Sequence, residues 1–135
     1  MSASPLAELI AAAAAARANA YAPYSGFAVG AAIRDAGGAL HAGANVENAA
    51  YPQGQCAEAS AIGAMIAAGG KRIAEMAVLA DGAALCTPCG GCRQRIREFA
   101  DADTRIHLCG PEGLRRTVTL GELLPLAFGP DNLPP

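Results

Sequence analysis

Residues 56–109 run CAEASAIGAMIAAGGKRIAEMAVLADGAALCTPCGGCRQRIREFADADTRIHLC, and the order of elements in this stretch decides the fold. From Cys56 the apolar residues Ile62, Met65 and Ile66 recur at helical spacing until Gly69-Gly70 ends the run. Met76 to Ala80 is short and apolar, the pattern of a buried strand. A loop carrying Cys86 leads to Pro88, and the spacing then predicts a helix from about Cys89 to Ala100. Arg105 to Cys109 reads as the next strand. Strands joined through a helix are expected to run parallel, since a tight turn can only reverse the chain.

Working outward, Ser4-Pro5 marks a helix start, and the alanine-rich run should stay helical to about Ala18. Ala22 to Gly26 is a turn or loop. Phe27 to Ile33 and Leu40 to Asn45 read as two strands, with Asp35-Ala36-Gly37-Gly38 as the hairpin turn between them. Asn45 to Gln55 is polar and irregular. Downstream, Gly110 to Gly113 is a turn, Arg116 to Val118 a short strand, and Thr119 to Glu122 a capping box for a last helix ending near Pro125. The order is one helix, two strands, then alternating helices and strands, in one domain spanning residues 1–135. The expected class is α/β: a three-layer α/β/α arrangement around a mixed, roughly five-stranded sheet.

The chemistry is concentrated at two helix starts, Cys56-Ala57-Glu58 and Pro88-Cys89-Gly90-Gly91-Cys92. Cys89 and Cys92, three apart, share a face in a helix's first turn. Gly90 and Gly91 let the backbone approach a metal, and helix N-termini favour thiolates. Residues two apart point to opposite sides of a helix, so Cys56 must sit at or before the helix start if Glu58 is to turn in beside it. Three thiolates can hold Zn²⁺, one per chain, and leave its fourth position for water. A carboxylate nearby can then move protons. Zinc deaminases carry a pattern of ligand, any residue, Glu, then P-C-x-x-C. A CxxC pair also occurs in structural zinc knuckles and redox sites. Cys86-x-x-Cys89-x-x-Cys92 admits an iron–sulfur cluster too, although that reading leaves Glu58 without a purpose.

Composition narrows the partners. The 135 residues are 53% hydrophobic with 16 glycines and no tryptophan, so closely packed helices are expected. A net charge of −2 and the lack of a basic run disfavour a polynucleotide and leave a small molecule. Five cysteines make no even disulfide framework, and thiols kept for a metal point to a reducing compartment, the cytoplasm. The apolar run Leu9 to Ala16 is too short to span a bilayer. It lacks a basic leader as well, so neither a membrane anchor nor a signal peptide is expected.

Four segments, YAPYSGFAVGAA, GANVENAAYPQGQCAE, PCGGCRQ and ELLPLAF, resemble the small homotetrameric zinc-dependent cytidine deaminases of pyrimidine salvage, over roughly Tyr21 to Phe128. That resemblance implies hydrolytic deamination of cytidine or 2′-deoxycytidine to the uridine product and ammonia. It implies Cys56, Cys89 and Cys92 as zinc ligands and Glu58 as proton carrier. It further implies Asn45 and Glu47 on the ribose hydroxyls, Phe27 on the pyrimidine, backbone groups at Ala57 and Thr87 on the base, and Phe128 reaching a neighbouring subunit's site. Taken alone, Asn45 and Glu47 would read as an Asx-type turn with a solvated carboxylate, and an isolated Phe as core. Tyr24 and Tyr51 match positions near subunit contacts, and Gln94 a residue that orients the site. A deaminase of another aminopyrimidine nucleoside, of the blasticidin type, is the neighbouring alternative, against which NVENAAY argues. Many members of the family carry Arg directly after the catalytic Glu, where this chain has Ala59. Zinc with three thiolates bears a net charge of −1, so another source of positive charge is expected, from helix N-termini, backbone N–H groups or a nearby cation.

Overall fold

The computed structural model describes residues 4–134. Ser4 caps the first helix, α1 (Pro5–Arg17), its hydroxyl accepting the Ala7 N–H at 3.1 Å. Two strands, β1 (Val29–Asp35) and β2 (Leu40–Ala44), form an antiparallel hairpin. Helix α2 (Ala57–Ala67), strand β3 (Ile73–Ala80), helix α3 (Gly90–Phe99) and strand β4 (Arg105–Gly110) follow in the expected alternation. A turn leads back into β5 (Gly113–Thr119), and α4 (Leu120–Leu123) carries the predicted capping box between Thr119 and Glu122.

The sheet has five strands in the order β2-β1-β3-β4-β5. Of its four pairings only β3 with β4, the two strands joined through α3, is parallel. This is the mixed sheet expected. Helices α2, α3 and α4 cover one face, packing Ala61, Met65, Ile96 and Leu120 against Ile33, Met76, Val78, Ile106 and Leu108. On the other face α1 lays Leu9 and Ala13 on Ala32, Ala77 and Leu79. The layers are as expected, though unequal in their share of helix.

Small residues set how closely the helices approach. A Cβ on Gly30 would stand 2.0 Å from the carbonyl oxygen of Ala13, and one on Gly43 would stand 2.5 Å from the backbone nitrogen of Ala61. Glycine is therefore what lets α1 rest on β1 and α2 on β2.

The larger departures from the expected element edges lie in β1, β3 and β5. β1 begins at Val29 and not Phe27, because the Asn45 side chain takes up the Phe27 carbonyl and the Val29 amide that would have joined the ladder. β3 begins earlier, at Ile73, whose side chain is buried and whose backbone pairs with Asp35. β5 extends on both sides of the expected segment, as an arginine-bearing edge strand with exposed and half-buried residues alternating at its start.

Candidate active site

The two cysteine-bearing helices begin side by side. Cys56 caps α2 with extended backbone (φ −74°, ψ 156°), and Cys89 caps α3 in the same way (φ −66°, ψ 166°). This resolves the crowding posed by Cys56 and Glu58: the cap stands outside the helix, and Glu58 lies in the first turn. The Sγ atoms of Cys56 and Cys89 are 3.9 Å apart, and with Cys92 all three sulfurs lie within 4.8 Å of one another. A tetrahedral ion with Zn–S bonds of about 2.3 Å needs sulfurs about 3.8 Å apart, so the cluster fits zinc. Neither Cys86 nor Cys109 belongs to it. Cys109 lies in the core under α1, where burial pushes its thiol up to about 11.

The electrostatics point the same way. Burial pushes the thiols of Cys56 and Cys92 up, whereas Cys89 is held down, chiefly by the backbone at Cys92. Three clustered thiols resist ionising together, and a divalent cation is the counter-charge that lets them do so. Glu58 is 5% exposed. Desolvation raises its carboxyl above the ordinary range, opposed by backbone hydrogen bonding and by the charge of Arg95. A buried carboxyl whose hold on a proton is strengthened in this way is suited to take one up and return it.

The segment 45–47 is held beside this cluster. Val46 and Gln55 exchange backbone hydrogen bonds at 2.9 and 2.8 Å, and the Tyr21 amide donates to the Asn45 carbonyl at 3.0 Å. Asn45 and Glu47 thus flank a residue tied to the neighbour of Cys56. The Glu47 carboxylate accepts from the backbone amides of Tyr24 (2.9 Å) and Ser25 (3.1 Å) and from the Ser25 hydroxyl, which hold it below the ordinary carboxylate range. The Asn45 amide donates to the Phe27 carbonyl at 2.8 Å and accepts the Val29 N–H at 2.9 Å, leaving one hydrogen and one lone pair. Neither residue is the solvated turn that their types alone suggested. An open cleft of about 390 Å³ is lined by Tyr24, Ser25, Glu47, Asn48, Tyr51 and Gly54.

The aromatic residues stand outside the core. Phe27 is 45% exposed and Phe128 58%, so the core reading of an isolated Phe fails for both. Tyr24 and Tyr51 meet edge to face, with ring centroids 5.9 Å apart. Gln94 donates to the Phe128 carbonyl at 2.9 Å and so fixes the C-terminal segment to α3. Ala57 is buried at the first position of α2. Thr87 accepts from Arg93 at 3.0 Å, and the same guanidinium holds the carbonyls of Pro88 (2.7 Å) and Leu123 (2.8 Å).

Sequence reasoning missed three contributors. Ser25 clamps Glu47 across 22 positions, a pairing no local pattern announces. Arg93 splints the Thr87-Pro88 approach to α3. Arg95 places Nη1 3.9 Å from Cys92 Sγ, and its three-residue offset on α3 was the one readable signal. Gly90 and Gly91 were expected to allow close backbone approach. A Cβ on Gly90 would meet nothing within 4 Å, while one on Gly91 would stand 3.2 Å from Arg95 Nη1.

The profile of the family described as cytidine and deoxycytidylate deaminase zinc-binding region matches residues 4–108. A cytidine deaminase of Halalkalibacterium halodurans is 41% identical over 118 residues, covering 87% of this chain and 89% of the relative. Among solved structures, a cytidine deaminase from Burkholderia pseudomallei superposes with a TM-score of 0.85 at 42% identity, over 90% of this chain and 98% of that one. The cytidine deaminase of Mycobacterium tuberculosis gives 0.80 at 39% identity, over 91% and 96%.

Proposed function

The chain belongs to the cytidine and deoxycytidylate deaminase zinc-binding family, and from that premise we propose that it hydrolyses the 4-amino group of cytidine, 2′-deoxycytidine or both. The products are the uridine nucleoside and ammonia, and the role is pyrimidine salvage. The observation that carries this reading is the meeting of three thiols and a buried carboxyl at two adjacent helix starts.

Cys56, Cys89 and Cys92 hold the zinc ion. When bound, zinc supplies a Lewis acid that activates a water molecule for attack on C4. Glu58 carries the protons. Its burial lets it accept one proton from the water and deliver it to ring N3, then take the remaining proton from the new C4 hydroxyl and donate it to the departing amino group. Atoms balance as nucleoside plus water giving the uridine product plus ammonia. The clamped Glu47 and the free valences of Asn45 face a polyhydroxylated ligand with acceptors and one donor, which suits a ribose. Backbone groups at Ala57 and Thr87 orient the base, and Phe27 packs on it.

We infer further that the working form is a homotetramer. Tyr24, Phe27, Tyr51 and Phe128 leave large apolar surfaces exposed around the site, and the cleft bearing Glu47 is not walled by the thiols. Phe128 is the residue offered to a neighbour's site. Among the described residues no helix is long and apolar enough to cross a membrane. The five free thiols fit a reducing compartment, and we place the protein in the cytoplasm. A panel of aminopyrimidine nucleosides and free cytosine, assayed for ammonia release, tests the assignment. Cytidine or deoxycytidine should lead; release confined to another aminopyrimidine would overturn it.

A further inference from the structure

A zinc ion held by three thiolates carries a net charge of −1, and one of its ligands here, Cys92, is fully buried. Buried negative charge needs a positive partner close by. Among the described residues, Arg95 makes no ion pair with any carboxylate, and its one hydrogen bond runs from Nη1 to Cys92 Sγ at 3.9 Å. The arginines around it are otherwise engaged: Arg93 with three oxygen acceptors and Arg97 with Asp131. The guanidinium reaches back over the first turn of α3 through space that Gly91 leaves clear, since a Cβ there would stand 3.2 Å from Nη1. Across the groove, on α2, residue 59 is an alanine, and Ala59 and Arg95 line the same depression. Glu98 lines it too, and the Glu58 carboxyl also feels the charge of Arg95.

We propose that Arg95 is the positioning cation of the metal site, compensating the thiolate charge at Cys92 from outside the coordination sphere. Its place can be taken by a cation at residue 59, because the two positions open on one groove. The inference rests on the reading of Cys56, Cys89 and Cys92 as zinc ligands.

The test is zinc affinity by competition with a chromophoric chelator, on the full chain. The variants are Arg95→Met, which keeps the stem without the charge, Arg95→Lys, which keeps the charge, and Arg95→Met with Ala59→Arg. Loss of an outer partner of a ligand typically costs 10–100-fold in metal affinity. Arg95→Met should therefore bind zinc about tenfold or more weakly, Arg95→Lys should recover most of the loss, and adding Ala59→Arg should do so as well. Cobalt substitution gives a second readout. A cation beside sulfur lowers the energy of its lone pairs, so the thiolate-to-cobalt band should move to longer wavelength in Arg95→Met and return with Ala59→Arg. Wild-type zinc affinity and an unmoved band in Arg95→Met would overturn the role of Arg95 while leaving the thiol site standing. Equal weakening in the Met and Lys variants would overturn the charge argument. A wild-type chain that takes up no zinc would overturn both this inference and the reading beneath it.

Discussion

Gly43→Ala links the packing of the fold to the chemistry of the site. A Cβ at residue 43 would lie 2.5 Å from the Ala61 nitrogen and 2.6 Å from the Ser60 Cβ, both on α2. Non-bonded heavy atoms settle at about 3.5 Å or beyond, so α2 must withdraw from β2 by about 1 Å. Overpacking of this kind costs about 1–3 kcal/mol. A stiffer unfolded chain returns up to about 1 kcal/mol of that. The net loss, on the order of 1–2 kcal/mol, should lower the melting temperature by about 3–10 °C for a chain of this size. The same displacement carries Cys56 and Glu58 away from Cys89 and Cys92 on α3, and metal sites tolerate only about 0.2 Å of ligand misplacement. Zinc affinity should therefore fall together with stability. Gly63→Ala is the control: it lies on the same helix, its Cβ would meet nothing within 4 Å, and helix propensity should raise stability by up to about 1 kcal/mol. Thermal unfolding and chelator competition on both variants measure the two effects. A Gly43→Ala protein as stable and as tight for zinc as wild type would refute the claim that this contact sets the position of α2.

Other outcomes follow from the site. Glu58→Gln should keep its zinc and lose on the order of 10²–10⁴-fold in turnover, the usual contribution of a positioned acid–base group; metal analysis beside a steady-state assay checks both halves. Alanine at Cys56, Cys89 or Cys92 should strip the metal, whereas Cys86→Ala and Cys109→Ala should leave zinc content unchanged, as atomic absorption would report. Asn45→Ala or Glu47→Ala should weaken a nucleoside far more than free cytosine, because a site built for hydroxyls is left with unpaired groups; equal loss of kcat/KM on both compounds would show that these residues do not read the sugar.

What the sequence revealed and what it hid divide along physical lines. Local signals worked where the cause is local. The two helix starts fall within one residue of expectation because capping and periodicity involve neighbours, and the parallel pairing of β3 with β4 follows from the helix between them. The capping box at Thr119 was legible for the same reason. Contacts between distant segments were hidden. The Asn45 side chain removes Phe27 from the first strand from 18 positions away. Ser25 clamps Glu47 with no sequence pattern to announce it. An isolated Phe gives no sign of its exposure, and Phe27 and Phe128 lie at the surface because loops, not strands, carry them. Arg93, adjacent to Cys92 in sequence, turns to splint a loop, whereas Arg95, one helical turn on from Cys92, points toward its sulfur. Helical offset decides this, and residue adjacency does not.

The central claim is that one metal ion on Cys56, Cys89 and Cys92 supports proton transfer by Glu58. It is tested most directly by removing the metal with a chelator and restoring zinc stepwise while measuring ammonia release from cytidine. Activity should be absent at the start, rise linearly with added zinc, and level off at one zinc per chain. Full turnover by the metal-free chain, or a plateau reached only at two ions per chain, would contradict it.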